Sequence, residues 1–169
     1  MFTETQLLTS PRLRLRPLES QDENEIFALR SDERVNMYLD RKPAASLDDA
    51  RAFIAAIHHM MERNEGVYWA ICLKENPRLI GTICYFNLSE ANESAEIGYE
   101  LNPFYQGKGI MQEALSLVVQ FGFNVMELKS ITACPTKDNI KSIVLLKRNG
   151  FKQVDDTEEN GLLKFVLKR

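Results

Sequence analysis

The run from Glu96 to Met111 (EIGYELNPFYQGKGIM) places a strand, a proline stop, a glycine-bearing turn and a helix start in immediate succession. Gly107 and Gly109 allow the backbone to turn so that several N–H groups converge. The first turn of the following helix adds its own unpaired N–H groups and the positive end of its dipole. Gln106, Gly107, Lys108, Gly109, Ile110 and Met111 thus form a candidate seat for a phosphate or pyrophosphate, although such a turn also serves as a plain strand-to-helix connection. It is neither of the familiar nucleotide motifs. Ile110-Met111-Gln112 supplies no third glycine, and the Lys-Gly pair is not the Gly-Lys-Ser/Thr of a P-loop. Just upstream, Glu96 and Glu100 fall on one face of a strand with Gly98 between them, while Ile97, Tyr99 and Leu101 fall on the other. These two carboxylates are candidates for acid–base work. Each is equally a residue of a solvated strand face, and a β-bulge would change which of them points inward.

Other chemistries find no support. His58 and His59 are adjacent, point about 100° apart on a helix and match no two-ligand metal spacing. No G-x-S-x-G elbow is present. The three cysteines, Cys72, Cys84 and Cys134, are scattered and form no C-x-x-C pair, which argues against a zinc site or a disulfide scaffold and for a reducing compartment. Cys134 is expected to be a small buried residue rather than a nucleophile, and Trp69 to pack the core.

The 169 residues, 44% apolar and 27% charged, suit one globular domain spanning 1–169. The net charge of −3 offers no basic excess for a phosphate backbone, so direct nucleic-acid binding is not expected. No apolar run approaches a membrane span, and the first residues lack the uninterrupted apolar core of a signal peptide. A cytoplasmic protein with no membrane association is expected.

Around the candidate loop, the pattern predicts an edge strand at Leu13–Leu15 and a short helix over 20–30. A longer helix starts from Ser46, with a capping box completed by Asp49, and is closed by Gly66. Strands at 68–73, 79–88 and 95–101, joined by short turns, predict an antiparallel meander. A long helix follows Gly109, then a strand at 130–134 and a helix capped by Asp138 or Asn139 and ended by Gly150. Strands at 151–154 and 162–167 form a hairpin around an acidic turn ending Asn160-Gly161. The fold class is α/β: a mixed, mostly antiparallel sheet with flanking helices.

Joined together, these pieces resemble a known family. Gln106-x-x-Gly109-x-Met111 is similar to the Q/R-x-x-G-x-G/A pyrophosphate loop of the GNAT N-acetyltransferase superfamily. Asn139-x-x-Ser142 followed by Asn149-Gly150-Phe151 resembles that family's second signature. Pro11–Leu18 and Ala95–Leu101 resemble the branch containing the ribosomal-protein serine and alanine N-terminal acetyltransferases. Two positions depart from the pattern: Met111 replaces the preferred Gly or Ala, and Leu146 stands where many members carry a tyrosine general acid.

The resemblance implies acetyl-CoA as cosubstrate and no metal. It implies N–H groups of 107–111 on the pyrophosphate, backbone of the strand through Tyr99 and Leu101 against the pantetheine, and Asn139 on the pantetheine arm, although Asn139 is also an adequate helix cap. It further implies Glu96 as general base, directly or through water, and Ser142 as the group that protonates the leaving thiolate. Tyr99, Tyr105 and Tyr85 remain alternatives for that last role. The implied function is acetyl transfer to a primary amine, foremost a peptide or protein N-terminus, by a monomer or homodimer. A polyamine acetyltransferase or a non-catalytic acyl-CoA-binding module are the rival readings.

Overall fold

The computed structural model describes residues 6–91, 93–154 and 160–169. Eight strands form one sheet in the order β1-β2-β3-β4-β5-β6-β8-β7. They are β1 (Leu8–Thr9), β2 (Leu13–Arg16), β3 (Val67–Leu73), β4 (Leu79–Ser89), β5 (Ser94–Leu101), β6 (Ser130–Ala133), β7 (Lys152–Gln153) and β8 (Phe165–Lys168). Five helices accompany them: α1 (Glu23–Ser31), α2 (Glu33–Asn36), α3 (Leu47–Glu62), α4 (Ile110–Asn124) and α5 (Ile140–Arg148). All neighbouring strands run antiparallel except β5 and β6, which are parallel. A parallel pair needs a long crossover, and α4 supplies it.

The sheet is buried on both faces at its centre, along β3 and the first half of β4. Strand β3 shows why a central strand loses the polar half of its alternation: Val67, Trp69 and Ile71 pack with α4, while Tyr68 and Ala70 pack with α1 and α3. Trp69 is fully buried, as expected, and its Nε1 donates to the Gln6 carbonyl at 2.8 Å. Beneath α4, the Tyr85 hydroxyl donates to the Val118 carbonyl at 2.8 Å. That hydroxyl lies 2.4 Å from where a Cβ on Gly122 would stand, so only glycine lets α4 approach the sheet at that point.

Three expectations need correction. The strand over Leu13–Leu15 is not an edge, because β1 pairs with it. The chain doubles back at Ser10, whose N–H reaches the Leu13 carbonyl at 3.0 Å, and a two-residue strand is too short to leave a periodic signal. Helix α3 ends at Glu62, four residues before Gly66. At its start Ser46 accepts from the Asp49 N–H at 3.3 Å, but the Asp49 carboxylate takes the Ala45 N–H rather than that of Ser46. The terminal hairpin is shorter than predicted because the chain around 162–163 pairs elsewhere: Leu162 bridges to Thr136 and the Leu163 N–H reaches the Pro135 carbonyl. The acidic tract 155–159 lies outside the described residues.

Candidate active site

Strands β5 and β6 begin side by side and then separate. Their parallel pairing runs Ser94↔Ser130, Ala95↔Ile131, Glu96↔Thr132, and β6 ends at Ala133, one residue before Cys134-Pro135. Proline has no N–H to continue a ladder. Strand β5 runs on to Leu101, held only by β4 on its other side. Among the described residues, no strand pairs with the free edge over 97–101. Its peptide groups are therefore an acceptor–donor row of the kind an extended polyamide can complete.

The register irregularity in this region lies in β4, which has one extra residue between Phe86 and Ser89, opposite Glu96–Ser94. Strand β5 keeps its alternation. Glu96 and Glu100 therefore share a face, with Tyr99 on the other, as the sequence predicts.

At the end of β5, Asn102 caps a 3-10 turn over Pro103–Tyr105. The Gln106 side chain then donates back to the Leu101 carbonyl at 2.9 Å, which fixes where the strand ends and the loop begins. Gly107 and Gly109 both adopt left-handed backbone, with φ of +74° and +75°. Gly109 is the N-cap of α4 and offers no side chain, so no side chain caps the first amides of that helix. These N–H groups and the helix dipole face the loop together, which is what an anionic diphosphate requires.

Arg12 braces the loop from behind. Its Nη1 donates to the Lys108 carbonyl at 2.8 Å and its Nε to Glu113 at 2.7 Å, while Glu113 also accepts from Ser10 and from the Arg12 backbone N–H. Burial pushes the Glu113 carboxyl up, but these hydrogen bonds outweigh it and hold the group below its usual value. The Glu113 carboxylate in the first turn of α4 is thus neutralised by Arg12. Nothing in the alternation Arg12-Leu13-Arg14-Leu15-Arg16 singles out Arg12, so sequence reasoning missed it. Lys108 extends over the rings of Phe104 and Tyr105, 4.4 and 5.7 Å from their centroids.

On the α5 side of the gap, the Tyr99 and Ser142 hydroxyls share a hydrogen bond of 2.6 Å. Ser142 sits in the first turn of α5, where its N–H is capped by the Asn139 side-chain oxygen at 3.3 Å. The cap uses the amide oxygen of Asn139 and leaves its NH2 as a donor chemically suited to a carbonyl. A reciprocal pair between the Gln112 and Asn149 amides (2.7 and 2.8 Å) ties α5 to α4 and so to the loop. Burial pushes the Tyr99 phenol up to about 12, so it stays protonated at neutral pH. Tyr85 is committed to the core through Val118, Tyr105 sits in the 3-10 turn, and Leu146 is fully buried.

The opposite face separates the two glutamates by environment. Glu96 accepts from the Asn87 amide at 3.0 Å and from the Cys134 thiol. Burial first, then this carboxylate, pushes that thiol up to about 11, so Cys134 is protonated at neutral pH; it is half-buried just past β6, beside Glu96, rather than the small buried residue expected. Glu100 is instead locked in a fork with Arg41, with Nη1 on Oε1 and Nη2 on Oε2 at 3.1 Å, both side chains only 16% exposed. Of the two, only Glu96 has no ion-pair partner among the described residues. His58, on α3, contacts the carbonyl of Leu18, in the segment after β2. Among the described residues, no group of three His, Cys, Asp or Glu could hold a metal, and no helix is long and apolar enough to cross a membrane.

A strand splayed from its parallel neighbour, with a glycine loop and an uncapped helix at its end, is the architecture of a coenzyme A-dependent acyltransferase. Residues 12–152 match the Acetyltransferase (GNAT) domain, and the chain belongs to that family. It is an acetyl-CoA-dependent N-acetyltransferase. Over 147 residues it is 33% identical to the uncharacterized N-acetyltransferase YoaA of Bacillus subtilis, covering 87% of this chain and 83% of that protein. It is 27% identical to the spermidine N(1)-acetyltransferase of Escherichia coli K12, covering 82% and 72% of the two chains. In fold it is similar to RimL, a ribosomal L7/L12 α-N-protein acetyltransferase solved with coenzyme A, at a TM-score of 0.84, 19% identity and coverage of 96% and 98%.

Proposed function

We propose that residues 1–169 form one catalytic domain that transfers the acetyl group of acetyl-CoA to the α-amine of a peptide or protein N-terminus, in the cytoplasm, by direct attack in a ternary complex. The observation that carries this reading is the gap beside β5, with Tyr99 and Ser142 on one face and Glu96 on the other. The N–H groups of Gly107, Lys108, Gly109, Ile110 and Met111 would hold the pyrophosphate. The β5 edge from Tyr99 to Leu101 would hold the pantetheine amides, with Asn139 beyond it. The cosubstrate supplies an activated thioester, and the chain has three tasks. It must fix that thioester against β5, deliver a neutral amine from the Glu96 face, and return a proton to the departing sulfur.

Ser142, hydrogen-bonded to a phenol that stays neutral, fits the last task, with Tyr99 able to resupply its proton. Glu96 fits the second, accepting the amine's proton through water. An α-amine with a pKa of about 8 is already roughly one-tenth neutral at pH 7, whereas an amine near 10.4 needs far more help. The absence of histidine from the described site residues therefore favours an α-amine. The likeness to a ribosomal-protein N-terminal acetyltransferase points the same way, with a ribosomal protein as the kind of acceptor to try first. The likeness to a spermidine acetyltransferase makes a polyamine the second candidate.

The test is thiol release from acetyl-CoA with peptides beginning Ser or Ala, the same peptides N-blocked, and spermidine. Turnover of the free peptides above both others is expected. Preference for spermidine, or acetylation of blocked peptides at internal lysines, would overturn the α-amine assignment, and coenzyme A binding without thiol release would favour a sensor.

A further inference from the structure

The Glu100 end of the β5 face has an unbalanced charge. Arg41 forks onto Glu100, and its Nε donates to the Asn36 side-chain oxygen at 2.8 Å. Asn36 in turn donates to the Arg30 backbone carbonyl at 2.8 Å, so the segment after α2 and the end of α1 are held together around this ion pair. Arg30 projects from α1 into the same region, its guanidinium carbon 3.7 Å from the centre of the Phe53 ring. It is half-buried, and among the described residues it forms no ion pair with a carboxylate of its own.

The other titratable groups facing this region are Tyr68, which is hydrogen-bonded to Thr82, and Cys84. Burial, with Glu100 nearby, pushes both up, so both are neutral. Burial and the neighbouring charge of Arg41 act against the Arg30 cation, and the shared Glu100 only partly offsets them. Two guanidinium groups therefore face one carboxylate, which leaves a formal charge of +1 in a partly desolvated site.

Its position matters. Glu100 is on the β5 stretch that β6 abandons, two residues beyond Gly98 and on the face opposite Tyr99 and Ser142. At a strand rise of about 3.3 Å per residue, the Arg41–Glu100 pair lies roughly 7 Å along β5 from Gly98, which stands between Glu96 and Glu100. An α-amine held over Gly98, between the two carboxylates, would stand at that separation from an acidic side chain on the first or second residue of an extended peptide. A half-buried cation without its own counter-ion is costly, and a carboxylate placed against it gains charge-assisted hydrogen bonds.

Resting on the N-acetyltransferase reading above, we propose that Arg30 and Arg41 form a seat for a carboxylate on the acceptor, so that the preferred substrate is an amine carrying an acidic group one or two residues away. Stacking on Phe53 orients Arg30, and Asn36 with Glu100 orients Arg41. A polycation at this place meets like charge instead.

Three peptides test this, identical except for Glu, Ala or Lys at the second residue after an N-terminal Ser. Free glutamate and spermidine complete the panel, all followed by thiol release at fixed acetyl-CoA. The Ser-Glu peptide is expected to show a KM at least about tenfold below Ser-Ala, with Ser-Lys above both. The ratio should collapse toward one in Arg30→Gln and shrink only in part in the unmodified enzyme at high salt, since a partly buried pair is screened less than an exposed one; the salt series needs no variant to fold.

Preference for free glutamate over all peptides would keep the arginine seat and identify an amino acid rather than a protein as its source. Equal KM values for the three peptides, or a lower one for Ser-Lys, would overturn the seat and leave the α-amine reading standing. Turnover of spermidine alone, or of nothing, would overturn the functional reading itself and the seat with it.

Discussion

The phenol of Tyr99 and the hydroxyl of Ser142 meet at 2.6 Å, one from the splayed strand β5 and the other from the first turn of α5. This contact joins two segments 43 residues apart in sequence. It depends on the alternation of β5, which turns Tyr99 toward α5 while Glu96 and Glu100 turn away. It depends equally on the Asn139 cap, which fixes where α5 begins and therefore where Ser142 points.

If Ser142 returns the proton to the thiolate, Ser142→Ala should lower kcat by about tenfold or more while the dissociation constant of coenzyme A, read by calorimetry, changes little. Tyr99→Phe should cost less, because Ser142 remains. The double variant should be no slower than Ser142→Ala alone, since the phenol acts through the serine. Additive losses would mean that Tyr99 protonates the thiolate independently.

The loop makes a separable prediction. Gly109 has φ of +75° and no side chain, and the helix behind it has no side-chain cap. Gly109→Pro or Gly109→Asp should abolish the rise in Tm on adding coenzyme A, the first by fixing φ at about −65° and the second by presenting a carboxylate to the pyrophosphate. Arg12→Ala should weaken coenzyme A binding, because it releases Lys108 and Glu113 together and removes the guanidinium that stands beside Gly109. Unchanged coenzyme A affinity in folded Gly109→Asp would place the pyrophosphate elsewhere.

Sequence pattern revealed the parts of the candidate site whose local geometry is built from contiguous chain. The Gln106–Met111 loop, the Asn139 cap and the shared face of Glu96 and Glu100 are local geometry, set by glycine, proline and period-2 alternation. What it did not reveal arises from segments meeting across long separations. Arg12 reaches Lys108 over 96 residues, Arg41 reaches Glu100 over 59, and both look on the page like ordinary surface arginines. The point where β6 leaves β5 could be anticipated from Pro135, but the use of the Glu100 face could not. That depends on α1, α2 and the segment after them, whose packing has no short-range signature. The two-residue β1 was missed for a simpler reason, since it is too short for any period to register.

Glu96 and Cys134 supply the last prediction, which tests the electrostatics of the Glu96 face independently of turnover. The Cys134 thiol is raised to about 11 by burial and by the Glu96 carboxylate that accepts its hydrogen bond. Glu96→Gln removes the negative charge, so the thiolate becomes easier to form and the midpoint of the alkylation-rate profile at Cys134, followed by peptide mass spectrometry, should move down toward the ordinary value. The linkage to stability has a definite sign. A thiol with a folded pKa above its unfolded value of about 8.5 contributes stability that is intact below that pH and is lost as pH rises through about 11. Tyr99 adds a second loss between about 10 and about 12. Cys134→Ala should therefore reduce, without abolishing, the fall in Tm over the lower part of this alkaline range, because burial also pushes up the Cys72 and Cys84 thiols, and should leave the upper part in place. In the same Glu96→Gln protein, the acidic limb of the pH–rate profile should shift if Glu96 is the base. A lowered Cys134 midpoint with wild-type rates at every pH would establish the contact and remove Glu96 from the chemistry.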